Sequence, residues 1–509
     1  PQGVRHGIKD VFFFIHDAPS LAKVALKKDT MDRIEITIDE ADMRAVYSID
    51  NDQAYLDQGK QKRPAKVKFK GKEYDAEVRL RGETSPHWAY EKKSWRIELD
   101  KKQIFDLSTL EFIVAADRFY VVEQFNNARA RKMGLLVPDS QYANLTINNK
   151  DFGVYYVSER IADDFVARHN LPEETIIYGE TDLNRTIYEN AGLWKINAGE
   201  DAELGFGPLI NLIGAMDIED DQVFYERFKE LFDIGHFALW NAHSILASSE
   251  HQDWAHNTRI MYRPDTQKMY FIPWDVEFRT LHRERPIDRR YNPIINRLIN
   301  IPEYQIMRAQ ILWEMVGDDE WIRKDKEIFD TIAAEVTPAA YRDRTKEHTN
   351  KEVKELIDYY DGIRQQNIDF LREVLTQNRT LAHLQWNSHS RQTEAKIRIS
   401  IDDESPVALT RIVFPPSNTQ HTWRLYKDGV FLGASQNGVL EVTQEIPLHA
   451  IKYDVWQHDR YERFETKMGH YDFLLVRSGA QLGTDVEPRI TLKNLVTQEF
   501  KVIEPVIGI

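Results

Sequence analysis

Apolar and polar positions alternate along much of the first 115 residues. Residues 33–38, 65–69, 74–80 and 93–99 each carry apolar side chains at every second position, and 11–15 is a short β-rich run. A period of two marks a strand with one buried face, so this stretch is expected to be mainly β. Gly71 and the segment Arg81-Gly-Glu-Thr-Ser-Pro-His-Trp88 supply the turn and loop residues between strands. The period then lengthens. Residues 124–133 read as a helix with Gly134 as its stop, and 161–168 as a second. Between them, 142–147 and 152–157 flank the tip Asn148-Asn-Lys-Asp151 as a hairpin.

The middle of the chain is helix-rich. Phe224, Phe228, Leu231 and Leu239 fall at helical spacing within 223–248; Tyr304, Met307 and Ile311 mark another helix. A long one is carried by Val353, Ile357, Tyr360, Ile368, Leu371 and Leu375. A short β segment, 258–262 and 269–272, interrupts them around the turn Arg263-Pro-Asp-Thr266. From Lys396 the helical period disappears. Alternating runs recur at 395–401, 408–414, 422–426, 439–442, 471–476 and 489–492, separated by turn signals such as Asp428-Gly429. That spacing predicts a β-sandwich, with the boundary near 385–392. The pattern as a whole is α+β followed by an all-β domain.

Composition narrows the function. The chain has 509 residues and a net charge of −15, which argues against a general binder of nucleic acid while leaving room for one nucleotide in a local basic pocket. It has no Cys, which excludes disulfides, thiolate zinc sites and a Cys nucleophile. The most apolar stretches, 11–15 and 208–216, fall far short of the ~20 residues of a spanning helix, so no membrane span is expected. The sequence begins at Pro1, as after trimming.

Two constellations can carry chemistry. The first is His251-Gln-Asp-Trp-Ala-His-Asn257 followed by Phe271-Ile-Pro-Trp-Asp-Val-Glu277. Two short strands joined by a tight turn bring Asp253, Asn257 and Asp275 to one end of a small sheet. Hard oxygen donors of this kind suit Mg²⁺ or Mn²⁺ with phosphate oxygens completing the shell. Solvated or helix-capping acids, or a His251/His256 metal site, are the alternatives. The second is Val78-Arg-Leu-Arg-Gly-Glu-Thr-Ser85 leading to Lys92-Lys-Ser-Trp-Arg-Ile-Glu-Leu99. A strand, a polar loop and a returning strand can cover phosphates. Lys93 shares its face with Trp95, Ile97 and Leu99, which predicts that it, rather than Lys92, points into a pocket; an amphipathic hairpin with snorkelling basic residues is the alternative. Asp151-Phe-Gly153 reads as coincidence at a hairpin tip, and no Walker A sequence occurs. Trp423, Tyr426 and Trp456 read as sandwich core, with sugar stacking as the other possibility.

The second run, together with Asn126-Asn-Ala-Arg-Ala-Arg-Lys-Met-Gly134, Gly153-Val-Tyr-Tyr-Val-Ser-Glu159, Asp253-Trp-Ala-His-Asn257, Pro273-Trp-Asp275 and Asn292-Pro-Ile-Ile-Asn-Arg-Leu298, resembles in its order the spore-coat protein H (CotH) kinase-like family. The resemblance covers about residues 30–375. It implies an atypical protein-kinase-like two-lobed fold: an extension over 1–30, an N-lobe over 31–160, a helical C-lobe over 161–385, then the sandwich over 392–509. It also implies an ATP- and Mg²⁺- or Mn²⁺-dependent phosphotransferase acting on protein hydroxyls, its own among the candidates, outside the cytoplasm. Asp253 would be catalytic, and Asn257 and Asp275 would hold metal. Lys93, Arg81, Ser85, Tyr156, Glu159 and Lys195 would surround the nucleotide. Asp253 and Asn257 are four apart where ordinary protein kinases have five, and Asp275 is followed by Val-Glu rather than Phe-Gly. A non-catalytic coat protein, or another nucleotide-dependent transferase, remains open, as does binding of a protein or surface polymer by the last domain.

Overall fold

The computed structural model describes residues 17–508 except 23, 25–29, 50, 102–103, 182–185, 201, 284–286, 290, 378, 387–393, 403, 416–420, 456–462 and 479–486, and only the backbone of 451–455 and 463–467. The β-rich run expected at 11–15 and the aromatic Trp456 lie outside these residues.

Seven strands close into a barrel: β1 (Arg33–Ile38), β2 (Arg63–Phe69), β3 (Lys72–Leu80), β4 (Trp95–Leu99), β5 (Thr109–Val114), β6 (Ser140–Ile147) and β7 (Lys150–Glu159). The pairing runs β1-β2-β3-β4-β5-β7-β6, and β6 returns to β1 in parallel, with Arg33 opposite Asn144. Alternation explains the closure. The apolar alternates Ile34, Ile36, Val67, Val78, Leu80, Trp95, Ile97 and Phe112 form one interior cluster, and the polar alternates face outward. Register is pinned by two-residue turns. Lys70 (φ 46°) with Gly71 (φ 80°) and Asn148 (φ 47°) with Asn149 (φ 64°) supply the paired left-handed conformations that right-twisted hairpins prefer. Strand β5 hides in the sequence because five of its six residues are buried. Its Phe112 faces the barrel interior, while Ile113 packs against helices outside it.

The middle of the chain is helical around a four-stranded antiparallel sheet. Its strands β8 (Ile176–Glu180), β9 (Trp194–Ala198), β10 (Arg259–Arg263) and β11 (Lys268–Phe271) are ordered β11-β10-β8-β9. The helical run expected over 223–248 is two helices, Asp221–Leu231 and Ile234–Ala247. Asp233 separates them, its carboxylate accepting from His236 N to cap the second. The long helix Asn350–Thr376 starts in a capping box formed by Thr349 and Glu352. The helix Asp319–Arg342 was not expected, because its first turns are charged and Pro338 interrupts its end. Its buried stripe of Phe329, Ile332 and Val336 packs on Val122–Lys132 and Asn350–Thr376. A bidentate pair, Arg129 to Asp325 at 2.8 Å for both bonds, fixes that contact.

The last region corrects the sandwich expectation. Eleven strands form one curled sheet, whose two halves join at Val430–Gln436: its first residues pair with Thr422–Lys427 and its last two with Val439–Glu441. The sheet begins with Thr380–Trp386, so it starts before the expected boundary. It is also tied to the helices. Asn494 Nδ2 donates to Leu375 O at 3.1 Å, Gln310 Nε2 donates to Leu495 O at 2.9 Å, and Val496 joins a helical cluster. Trp423 is core, stacked on Phe414 at 4.6 Å. The chain as a whole is mixed α+β, and no helix among the described residues is long and apolar enough to cross a membrane.

Candidate active site

The hairpin of β10 and β11 returns the chain to one end of the small sheet. Asn257 lies just before β10 and Asp275 just after β11. Both are left-handed, Asn257 at φ 54° and Asp275 at φ 52°, a conformation that side-chain-bearing residues seldom adopt and that concentrates at functional sites. The loop is braced from beneath: Gln252 Nε2 donates to Asn257 O at 3.2 Å and to Ile272 O at 2.9 Å. His251 Nδ1 sits 2.8 Å from Asp275 O and 3.4 Å from its Oδ2.

This end faces the outer wall of the barrel across a cleft of about 510 Å³. The wall is a cross-strand row: Arg79 on β3 opposes Arg96 on β4, which opposes Glu111 on β5. Glu111 is buried between two guanidiniums, Arg81 Nε at 2.7 Å from Oε2 and Arg96 Nε at 2.6 Å from Oε1. Burial alone would raise its carboxyl, but Arg96 and Arg81 hold it down at about 2. Burial and then the neighbouring Arg96 lower both Arg79 and Arg160, while burial and then Arg259 lower Lys195. Eight Lys and Arg line the cleft against five Asp and Glu, in a chain whose net charge is −15. The basic pocket that composition left room for is here.

On the floor, Arg118 Nη1 reaches Asp275 Oδ1 at 2.5 Å, and its Nε reaches Glu123 Oε2 at 2.5 Å. Burial would raise the Asp275 carboxyl, yet Arg118, His251 and Arg81 hold it below the usual range. Burial pushes Glu123 up to about 7 against the pull of Arg118. Burial and then Arg81 hold the His87 imidazole down at about 4, so it is neutral at pH 7.

Of the residues singled out in the sequence, Arg81, Lys195, His251, His256, Asn257 and Asp275 line this cleft. Asp253 stands behind it. Its Oδ1 accepts from Ala255 N and His256 N, both at 2.7 Å, and both its oxygens lie 3.0 Å from His256 Nδ1, so the member of that pair on the cleft is His256. Lys93 points elsewhere. The face it shares with Trp95 and Ile97 is the barrel interior, and its Nζ bonds Trp88 O and lies 5.1 Å from the Tyr47 ring centroid. Burial lowers it to about 8. Tyr156 packs between barrel and helices and accepts from Asn127 Nδ2 at 2.9 Å. Glu159 accepts from Asp139 N at 3.0 Å and meets His169 Nε2 at 3.0 Å, while the next residues, Arg160 and Ile161, line the cleft. Ser85 opens a short turn beside the cleft-lining Gly82, Glu83, Thr84 and His87.

Sequence reasoning passed over Arg79, Arg96, Glu111 and Arg118. Arg79 and Arg96 are the polar alternates of two legible strands, but that their face is the outer one, and that Glu111 joins them there, shows only once the barrel closes.

The family model described as "CotH kinase protein" matches residues 78–380, more than half of the chain. The chain belongs to this CotH family. The match begins inside β3 and ends at the first residue of the curled sheet, so it takes in every cleft-lining residue except Lys60. A curated CotH relative, "Inner spore coat protein H" of Bacillus subtilis (strain 168), is 23% identical over 235 residues, covering 44% of this chain and 64% of that protein.

Proposed function

We propose that this CotH chain is an ATP- and divalent-metal-dependent phosphotransferase of protein-kinase-like, two-lobed design, with the barrel as one lobe and the helical part as the other. The observation that carries it is the cleft itself: an arginine-rich barrel wall facing Asn257 and Asp275 across a space of about 510 Å³. The description of the matching family as a kinase supports the same reading.

The residues fit a hard cation. The Asn257 amide oxygen and the Asp275 carboxylate are oxygen donors that line the cleft, and Asp275 is kept ionised by its neighbours. They would hold Mg²⁺ or Mn²⁺, which on binding would neutralise charge on the transferring phosphate oxygens. The chain's own groups do the rest. The basic wall binds and orients the polyphosphate, and the His251 contact fixes Asp275. The Asp253–His256 pair orients the acceptor hydroxyl and takes its proton. The acceptor is a protein Ser or Thr, the chain itself among the candidates. The coat named for the relative suggests a place of action at a surface outside the cytoplasm, where the curled sheet would dock a protein or surface polymer.

The test is transfer of labelled γ-phosphate from ATP to the chain or to a generic protein acceptor, with Mg²⁺ or Mn²⁺. Label on wild type and its loss in Asp275→Ala is the expected result. Label from the α-phosphate alone would favour nucleotidyl transfer on the same site. No nucleotide binding at all would return the chain to a structural role.

A further inference from the structure

The wall of the cleft poses an energetic problem. Arg79 and Arg96 are direct cross-strand partners, and like charges so placed repel. The wall carries one buried carboxylate between them and Arg81, and Glu111 spends both its oxygens on Arg81 Nε and Arg96 Nε. Arg96 Nη2 also turns to Glu111, at 2.5 Å. Among the described residues, no hydrogen-bond partner meets the terminal nitrogens of Arg81 or Nη1 of Arg96, although both side chains line the cleft. Arg160, at the end of β7, also lines it and has no ion pair among these residues. Two guanidiniums pinned by one carboxylate, with their outer nitrogens on a cleft, form a preorganised fork for a polyanion.

We infer that Arg81 and Arg96, held in place by Glu111, grip the polyphosphate of the nucleotide, and that Lys93 does not. This rests on the nucleotide reading above: Arg81 is among the residues that the family resemblance places around the nucleotide, and Arg96 and Glu111 are added to it. Arg81 and Arg96 are the binding groups. Glu111 is a positioning residue that fixes their planes. Lys93 is excluded because its Nζ is already bonded to Trp88 O inside the barrel end.

The probes are adenosine, AMP, ADP, ATP and inorganic tripolyphosphate, titrated calorimetrically against the full chain. Wild type is expected to bind tripolyphosphate and to gain affinity with each added phosphate. Arg96→Ala should lose at least about tenfold in affinity for ATP and tripolyphosphate, with adenosine unchanged. Arg96→Lys keeps a cation beside Glu111 but lacks the fork, so it should show most of that loss in a protein that still melts like wild type. Glu111→Gln should weaken ATP more than adenosine, and Lys93→Met should leave the series intact. ATP binding that survives in Arg96→Lys and Arg96→Ala, or collapses in Lys93→Met, overturns the inference alone. Tripolyphosphate binding without ATP binding overturns the nucleotide reading but keeps the fork. Binding of neither overturns both.

Discussion

The barrel carries basic side chains at two places, and they have opposite fates. On the outer wall, Arg81 and Arg96 share Glu111 and keep nitrogens on an open cleft. On the other side, Lys92 is spent on Val154 O at 2.8 Å and on Asp343, and Lys93 on Trp88 O. All four lie within sixteen residues of sequence; the two lysines are buried and the two arginines half-buried. What separates a ligand-ready cation from a structural one is therefore whether the protein's own acceptors saturate it. A lysine beside apolar residues is drawn to carbonyls inside the fold. An arginine on the polar alternates of a closed barrel must face whatever covers the barrel.

The contrast predicts that cleft residues govern chemistry and the lysine side governs stability. The largest effect is expected at the Asp253–His256 pair, whose His256 lines the cleft: in Asp253→Asn ATP binding should persist while labelled phosphate transfer falls ~10²–10⁴-fold, the usual weight of general-base catalysis. Equal losses in binding and transfer would detach Asp253 from the chemistry. Next comes Asp343→Ala, which strands the buried Lys92 ammonium. Urea unfolding should show a loss of about 3–5 kcal/mol, with nucleotide affinity of the folded protein unchanged, and Lys92→Met combined with Asp343→Asn should be milder. An Asp343→Ala protein that stays stable but loses nucleotide would erase the distinction between the two places.

Acid titration sharpens it further. The Glu111 carboxyl lies at about 2 in the folded protein against 4.5 ordinarily, so between those values the unfolded chain binds more protons. Its contribution is complete above about pH 4.5 and drains away as pH falls toward 2, a span worth on the order of 3 kcal/mol. Glu111→Gln should flatten this acid limb; an unchanged slope would show that the two arginines do not stabilise the carboxylate. The last window is alkaline. Lys93 is lowered to about 8 from 10.5, so over that window the unfolded chain again holds the extra proton and stability should rise with pH. Melting temperatures of wild type and Lys93→Met, compared from pH 7.5 to 10.5, check whether the rise disappears with the lysine.

Much of this was legible wherever one face of an element meets solvent. β1 to β4, the β6–β7 hairpin and the helix Asn350–Thr376 follow from periods of two and 3.6. β5 and β8 did not, because buried positions run through them without alternation. Val430–Gln436 was overlooked although Asn437-Gly438, both at positive φ, is a strong hairpin signal. In the site, the Asn257 and Asp275 juxtaposition was readable because a short hairpin joins them. The arginine wall was not: deciding which of Lys93 and Arg96 faces the cleft requires knowing which face of β4 is inside, and that depends on barrel closure between β1 and β6, over a hundred residues apart in sequence. Glu159 and Tyr156 lie off the cleft for the same reason, since β7 is covered on both sides.

The two β regions also differ in when they can be finished during synthesis. Every strand of the barrel falls within 33–159, so a growing chain can shut it, parallel β1–β6 contact included, while the helices are still being made. The curled sheet has the reverse order. Its first strand, Thr380–Trp386, waits for Val506–Gly508 as its parallel neighbour, with Ile507 opposite Leu384. Until residue 508 leaves the ribosome, that strand has one hydrogen-bonding side open, and open strand sides recruit other chains. At about 5–20 residues per second, the gap between making the first strand and the last is several seconds or more. A ribosome that stalls late would thus release a protein with a complete cleft and an adhesive tail.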